Sequence, residues 1–400
     1  MKEFFIPSSK SISNRLLVIQ HLSHSKAKIN NLSLAQDTIL MQELLSQIEN
    51  SKNKTLYCHN AGTVVRFLLS LLAMKEGTWV IDGDERMKER PIEDLVDSLK
   101  EIGAQIEYIG EKGKLPLKIK GQALKSNNPI KINSKLSSQF ASSLLLVSPY
   151  IKGGLELEID SPVSLPYIEM TIALMKEYGA KIEEEKNRIK VEEGEYTFKE
   201  TMVEGDWSSA CFAYEKLCIS NTCNIIIKNL SPNSLQADKI AMDYFSLLGV
   251  ESQFKDNNLN LSYNPQNISK QETLIFKIKD CPDIFPSLAV AGFVCNKTII
   301  FEGIENLKHK ESNRLKAVLE GLHTLGAKAE IDNKNRFIIY PFGQNNPLEK
   351  DREEKIIKTY NDHRISMAFG MLRVKYDNII IDDFDCVKKS FPHFWINVEN

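Results

Sequence analysis

The sequence predicts an α/β protein built of two similar halves, and two patterns in its 400 residues carry that prediction. Helical segments that end at a glycine and run into a short strand recur: LVDSLKEIGAQIEYI, TIALMKEYGAKIEEE, AMDYFSLLGVESQF and KAVLEGLHTLGAKAEI. Their glycines, Gly103, Gly179, Gly249 and Gly326, lie roughly 70–77 residues apart, the scale of a large supersecondary repeat. Each suits the left-handed position just past a helix C-terminus. A second, more apolar helix series starts near residues 11, 62, 137, 206, 283 and 362. The length itself favours two domains over one core.

Taken in order, the apolar helices open at KSISNRLLVIQ, AGTVVRFLLSLLA, SSQFASSLLLVS, GDWSSACFAYEKL, PDIFPSLAVAGFV and NDHRISMAFGMLRV. Between them, PLKIKG, RIKVEEG, LNLSY and RFIIY carry the alternation of half-buried strands. Six units of helix, strand, second helix and further strand result, three to each half. No low-complexity linker separates the halves, so the crossover is expected near Val203–Asp206.

Composition narrows the function. A net charge of −2 gives no global basic field for nucleic acid. No apolar run approaches the roughly 20 residues needed to span a bilayer, and the N-terminus lacks a secretory pattern. The expectation is therefore a cytoplasmic protein with neither nucleic-acid nor membrane partners. Seven cysteines at 58, 211, 218, 223, 281, 295 and 386 show no metal spacing, which agrees with a reducing compartment. His21 and His24 stand three apart, but with no carboxylate or cysteine close in sequence a solvated helix face is expected rather than a metal site.

The starts of the apolar helices are unusual. Ser, Asp and Asn there are ordinary N-caps. Yet the same starts carry Lys10, Arg15, Arg66, Gln139, His363 and Arg364. If the repeats are related by symmetry, their N-termini converge, summing free N–H groups and positive dipole ends where an anion could sit. Arg66 is the sharpest case. It lies in the first turn of TVVRFLLSLLAM, and a buried guanidinium must reach solvent, a carboxylate partner or a bound anion.

The motifs KSISNR, NAGTVVR, ERPIEDL, SSQFASSLLL, SLPYIEMT, VEGDWSSA, PDIFPSLAV, KESNRL, YNDHRISMAF and KSFPHFW stand in one order over about Phe5–Trp395. Together they resemble the 3-phosphoshikimate 1-carboxyvinyltransferase (EPSP synthase) family. The resemblance implies two domains, each of three βαβαββ-type repeats around a pseudo-threefold axis, with the active site in the interdomain cleft. It implies boundaries of 8–204 for one domain and 1–7 plus 205–400 for the other. The implied reaction moves the enolpyruvyl group of phosphoenolpyruvate onto the 5-hydroxyl of shikimate 3-phosphate through a tetrahedral intermediate, releasing phosphate. It serves the shikimate pathway to chorismate and aromatic amino acids. No metal or organic cofactor is implied, and the expected state is a monomer.

Carried over position by position, the resemblance assigns Lys10, Ser11, Arg15, Ser137, Ser138, Gln139, Ser164, Asp283, Asn306 and Lys310 to shikimate 3-phosphate. It assigns Lys10, Gly62, Arg90, Gln139, Arg314, Arg364 and Lys389 to phosphoenolpyruvate. Asp283 resembles the general base and Glu311 the donor of a proton to carbon, with Lys10 a partner in either step. Without the resemblance, Asp283 would read as an N-cap and Glu311 as a first-turn dipole residue. Glyphosate, the family's inhibitor, is expected to compete with phosphoenolpyruvate, and Gly62 with Thr63 argues for sensitivity.

This chain departs from the family at four places. Ser8 stands where a glycine is usual, His59 likewise, Phe67 where many members have proline, and Asn313 where aspartate is usual. The first rival is the related UDP-N-acetylglucosamine enolpyruvyl transferase, whose reactive cysteine would fall near GDERMKERP, which has none. The second is a non-catalytic anion-binding descendant of the fold, which would be expected to have lost an acid, base or clamp arginine. A P-loop, suggested by SSKS, lacks both required glycines.

Overall fold

The computed structural model describes residues 2–133, 137–160, 164–220, 224–350 and 353–399. The chain forms two compact units, Lys10–Val203 and Met1–Ser9 together with Glu204–Asn400. Cys223 lies outside the described residues.

In the Lys10–Val203 unit, helices Lys10–Leu22, Gly62–Met74 and Ser138–Val147 pack on one another. The middle one buries residues on every side, as a helix apolar all round must. Strands Asn53–Tyr57 and Gly77–Asp82 run parallel, which requires a crossover, and the Gly62–Met74 helix supplies it. Gly77–Asp82 then pairs antiparallel with Leu117–Gly121, and that strand with Gln105–Tyr108. The same order recurs in Ile130–Asn133, Leu155–Asp160, Arg188–Val191 and Ile182–Glu185. Burial alternates along Arg188–Val191, so one sheet face covers helices and the other meets solvent. The remaining repeat has a two-stranded parallel pair among the described residues, Ile29–Asn30 with Thr201–Met202.

The other unit repeats the scheme. Helices Trp207–Ser220, Phe285–Val294 and His363–Met371 form its core. Thr273–Lys277, Thr298–Glu302, Phe337–Ile339 and Ala329–Ile331 make one four-stranded sheet. The chain's first strand, Lys2–Glu3, lies parallel to Asn224–Ile227 in a second sheet, completed by Asn258–Ile268 and Leu248–Lys255. Again the third repeat has a parallel pair, Lys355–Ile357 with Ile379–Ile381.

Three of the four repeat glycines cap helices as expected. Past helix Glu93–Glu101, the Gly103 N–H donates to the Lys100 carbonyl and the Ala104 N–H to that of Leu99. Gly179 with Ala180 and Gly326 with Ala327 repeat this paired closure at positive φ, which glycine adopts without the cost a Cβ imposes. Gly249 does not. Its helix, Ala241–Ser246, stops earlier, and Gly249 lies within strand Leu248–Lys255 at an irregularity in the register. A β-bulge takes a left-handed glycine as readily as a helix end does.

The solvated face expected for His21 is also corrected. His21 is the penultimate residue of its helix, its side chain only 7% exposed, with Nδ1 3.3 Å from Glu49 Oε1. The partner carboxylate comes from helix Gln36–Glu49, invisible to local spacing. Burial, opposed by Glu49, pulls the imidazole down to about 4. An unfolded chain takes up this proton near the ordinary value of about 6.5, so His21's contribution is full above that pH and drains away down to about 4. The loss amounts to about 3 kcal/mol at most. Denaturant unfolding at pH 7 and pH 4.5 should therefore show a smaller acid loss in His21→Leu than in wild type; an equal loss in both removes His21 from the acid response.

Candidate active site

The Lys10–Val203 unit places its cations at helix starts. Lys10 opens the first helix, and its Nζ lies 3.1 Å from Asp37 Oδ2. One turn on, Arg15 is 2% exposed and turned inward. Its Nε donates to Thr171 Oγ1 at 2.7 Å, Nη1 to the Ser11 carbonyl at 2.9 Å, and Nη2 to Ser142 Oγ at 3.3 Å and the Tyr167 carbonyl at 3.1 Å. All these acceptors are neutral, and among the described residues no carboxylate lies within ion-pair distance of Arg15. Burial lowers the guanidinium pKa to about 10, so it stays charged at neutral pH. A buried cation held by dipoles alone is an unmet demand for an anion.

Arg66 Nη1 donates to Gln139 Oε1 at 2.6 Å and Nη2 to the Pro91 carbonyl at 3.0 Å. Gln139 Nε2 in turn donates to Thr63 Oγ1 at 2.9 Å. The starts of the Gly62 and Ser138 helices are thereby tied together, as the convergence argument requires. Ser137 caps its helix by accepting the Gln139 N–H at 3.2 Å, and Ser138 is buried beside it. Arg90 is 5% exposed, and its Nη1 lies 3.4 Å from the Asn60 carbonyl. A Cβ added to Gly62 would come within 2.8 Å of Arg90 Cζ. Ser164, at a left-handed φ of 57°, precedes helix Leu165–Glu177 and spends no hydroxyl bond on capping it.

The other unit gathers the acids with further cations. Asp283 stands two residues before helix Phe285–Val294, and its carboxylate binds arginines instead of capping the helix. Arg314 Nη1 donates to Asp283 Oδ1 at 2.6 Å and Arg364 Nη2 to Oδ2 at 2.9 Å, while Lys310 Nζ lies 3.9 Å from Oδ1. Burial works against its ionisation, but Arg364, Lys310 and Arg314 outweigh burial and hold the carboxyl well below the usual range. Glu311 Oε2 accepts from Arg314 Nη2 at 2.7 Å. Asn306 is 5% exposed, and its Oδ1 is buried with no hydrogen-bond partner among the described residues. Such an orphan acceptor is costly unless something else meets it. Lys389 ends the short helix Asp385–Lys389 and is partly exposed.

The departures prove local. His59 adopts φ 48°, the conformation for which glycine is the usual choice, and packs edge-on against Tyr57. Ser8 needs no such accommodation, since its φ is not positive; it forms an isolated antiparallel bridge with Gly205. Asn313 caps helix Arg314–Thr324 by accepting the Lys316 N–H, as aspartate would. Phe67 continues the Gly62–Met74 helix, and its ring lies beneath the Arg15 guanidinium at 5.4 Å. Asp37, Asp362 and the Thr171–Ser142 hydroxyls escape a reading of the sequence, as does the tie from Thr63 to Gln139. Each lies far along the chain from the side chain it meets here, and a lone Asp or Thr carries no signal of that pairing.

The profile of the family described as EPSP synthase (3-phosphoshikimate 1-carboxyvinyltransferase) matches residues 2–398. A 3-phosphoshikimate 1-carboxyvinyltransferase of Bacteroides fragilis is 35% identical over 392 residues, covering 98% of this chain and 92% of the relative. One from Colwellia psychrerythraea is 30% identical over 419 residues, with 98% and 95% covered. The solved EPSP synthase of Acinetobacter baumannii superposes with a TM-score of 0.74 at 21% identity, over 99% of this chain and 94% of that one.

Proposed function

The chain belongs to the EPSP synthase (3-phosphoshikimate 1-carboxyvinyltransferase) family, and from that premise we propose how its own residues divide the reaction. The reaction transfers the enolpyruvyl group of phosphoenolpyruvate to the 5-hydroxyl of shikimate 3-phosphate in the shikimate pathway. The methylene carbon of phosphoenolpyruvate gains a proton while the 5-oxygen attacks the neighbouring carbon and loses its own. The resulting ketal phosphate then gives up a methyl proton, and its bond to the phosphate oxygen breaks.

Lys10, Ser11, Arg15, Ser137, Ser138, Gln139, Ser164, Asn306 and Lys310 bind shikimate 3-phosphate. Arg90, Arg314, Arg364 and Lys389 bind phosphoenolpyruvate, with Gly62 leaving room and Lys10 and Gln139 serving both ligands. Asp283 takes the 5-hydroxyl proton, and Glu311 supplies the proton to carbon. The observation that carries this reading is the Asp283–Arg314–Glu311 chain, which sets a base and an acid on one guanidinium. A base held so far below its ordinary range is poor. Donor anions that draw Arg314 and Arg364 toward themselves would remove counter-charge from Asp283 and strengthen it. We place the enzyme in the cytoplasm as a monomer; no helix among the described residues is long and apolar enough to cross a membrane.

Mass spectrometry after incubation with phosphoenolpyruvate alone tests this division of roles. The nucleophile is the acceptor's hydroxyl, and residues 83–91 contain no cysteine. The protein mass should be unchanged. A stable adduct on a cysteine would contradict the reading and favour the UDP-N-acetylglucosamine enolpyruvyl transferase chemistry.

A further inference from the structure

We propose that Asp362 is a positioning residue for the donor site, holding Arg314 and the Arg364 backbone in mutual register. The inference rests on the donor-binding role given to those arginines above. Asp362 is fully buried at the start of helix His363–Met371. Its Oδ1 accepts the Arg364 backbone N–H at 3.0 Å. Its Oδ2 accepts Arg314 Nε at 2.9 Å and the Ser312 hydroxyl at 2.9 Å.

An N-cap needs one oxygen, and serine or asparagine would provide it. The second oxygen serves the arginine. A guanidinium is planar, so fixing Nε fixes the plane in which both terminal nitrogens lie. Those nitrogens reach Asp283 at 2.6 Å and Glu311 at 2.7 Å. The same carboxylate thus sets the Arg314 plane and anchors the first turn from which Arg364 projects toward Asp283. Burial opposes the charge on Arg314, and Asp362, ahead of Glu311 and Asp283, more than restores it. Asp362 touches neither reacting atom in this scheme; it acts through the two arginines.

The test measures the KM of each substrate in Asp362→Asn and Asp362→Ser, alone and in an Arg314→Lys background. Both substitutions keep a capping oxygen and remove the second carboxylate oxygen. Removing the partner that orients a metal-ligating side chain costs roughly 10–100-fold; a comparable loss of orientation in Arg314 should raise the KM for phosphoenolpyruvate by at least roughly tenfold. The KM for shikimate 3-phosphate should stay within about threefold. Lysine has no counterpart of Nε, so in that background either Asp362 change should add less than about threefold. An equal rise for both substrates, an equal penalty in both backgrounds, or no rise at all would overturn the proposal. Failure of both variants to fold would also overturn it, making Asp362 a structural ion-pair partner. A wild type that binds both substrates without turnover would fail the functional reading instead.

Discussion

Asp283→Asn should lower turnover by roughly a thousandfold, within the range general bases contribute, while shikimate 3-phosphate still binds. The amide keeps the shape and part of the hydrogen-bonding capacity but cannot take the 5-hydroxyl proton. The structure adds a second expectation. Asp283 is the anion on which Arg314, Arg364 and Lys310 converge. Removing its charge leaves those cations less satisfied, so the affinity for phosphoenolpyruvate should hold or increase as turnover collapses. That opposite movement separates loss of a base from general damage to the site. Steady-state kinetics with direct binding of each substrate measures both. Turnover within tenfold of wild type would remove Asp283 from the role.

Gly62→Ala should raise the glyphosate inhibition constant by at least roughly tenfold, more than it raises the KM for phosphoenolpyruvate. The effect begins at Arg90. The added Cβ would lie 2.8 Å from Arg90 Cζ and 2.9 Å from both terminal nitrogens. Gly62 itself is not at positive φ, so alanine fits the backbone. What must move is the far end of Arg90, a flexible side chain, so stability should change little. A displaced guanidinium grips every donor-site anion less well, and a ligand longer than the natural donor has less slack to follow it. Phe67 continues the Gly62–Met74 helix, and its ring lies against the Arg15 guanidinium. Inhibition constants for the two proteins decide the matter, and equal values would show that Gly62 does not govern the pocket.

The fold was legible because its repeat signals are strong and local. A glycine at a helix end followed by an alternating strand is a pattern that physics rewards at each occurrence, and Gly103, Gly179 and Gly326 carry it. Gly249 misled because a bulge needs the same backbone conformation. The two-residue pair Ile29–Asn30 with Thr201–Met202 was beyond reading, since so short a strand has no periodicity. In the site, cations at apolar helix starts stood out because burying them is costly. Their partners did not. Nothing near Asp362 in the sequence announces Arg314, and nothing near His21 announces Glu49. Pairing is a property of the packed repeats, where a residue's neighbour is set by symmetry and not by spacing.

Phosphate release from phosphoenolpyruvate, followed with and without shikimate 3-phosphate, tests the central claim most directly. The account predicts release only with both present, one phosphate for each 5-enolpyruvylshikimate 3-phosphate formed. Release without the acceptor, or none with both substrates at saturation, would contradict it.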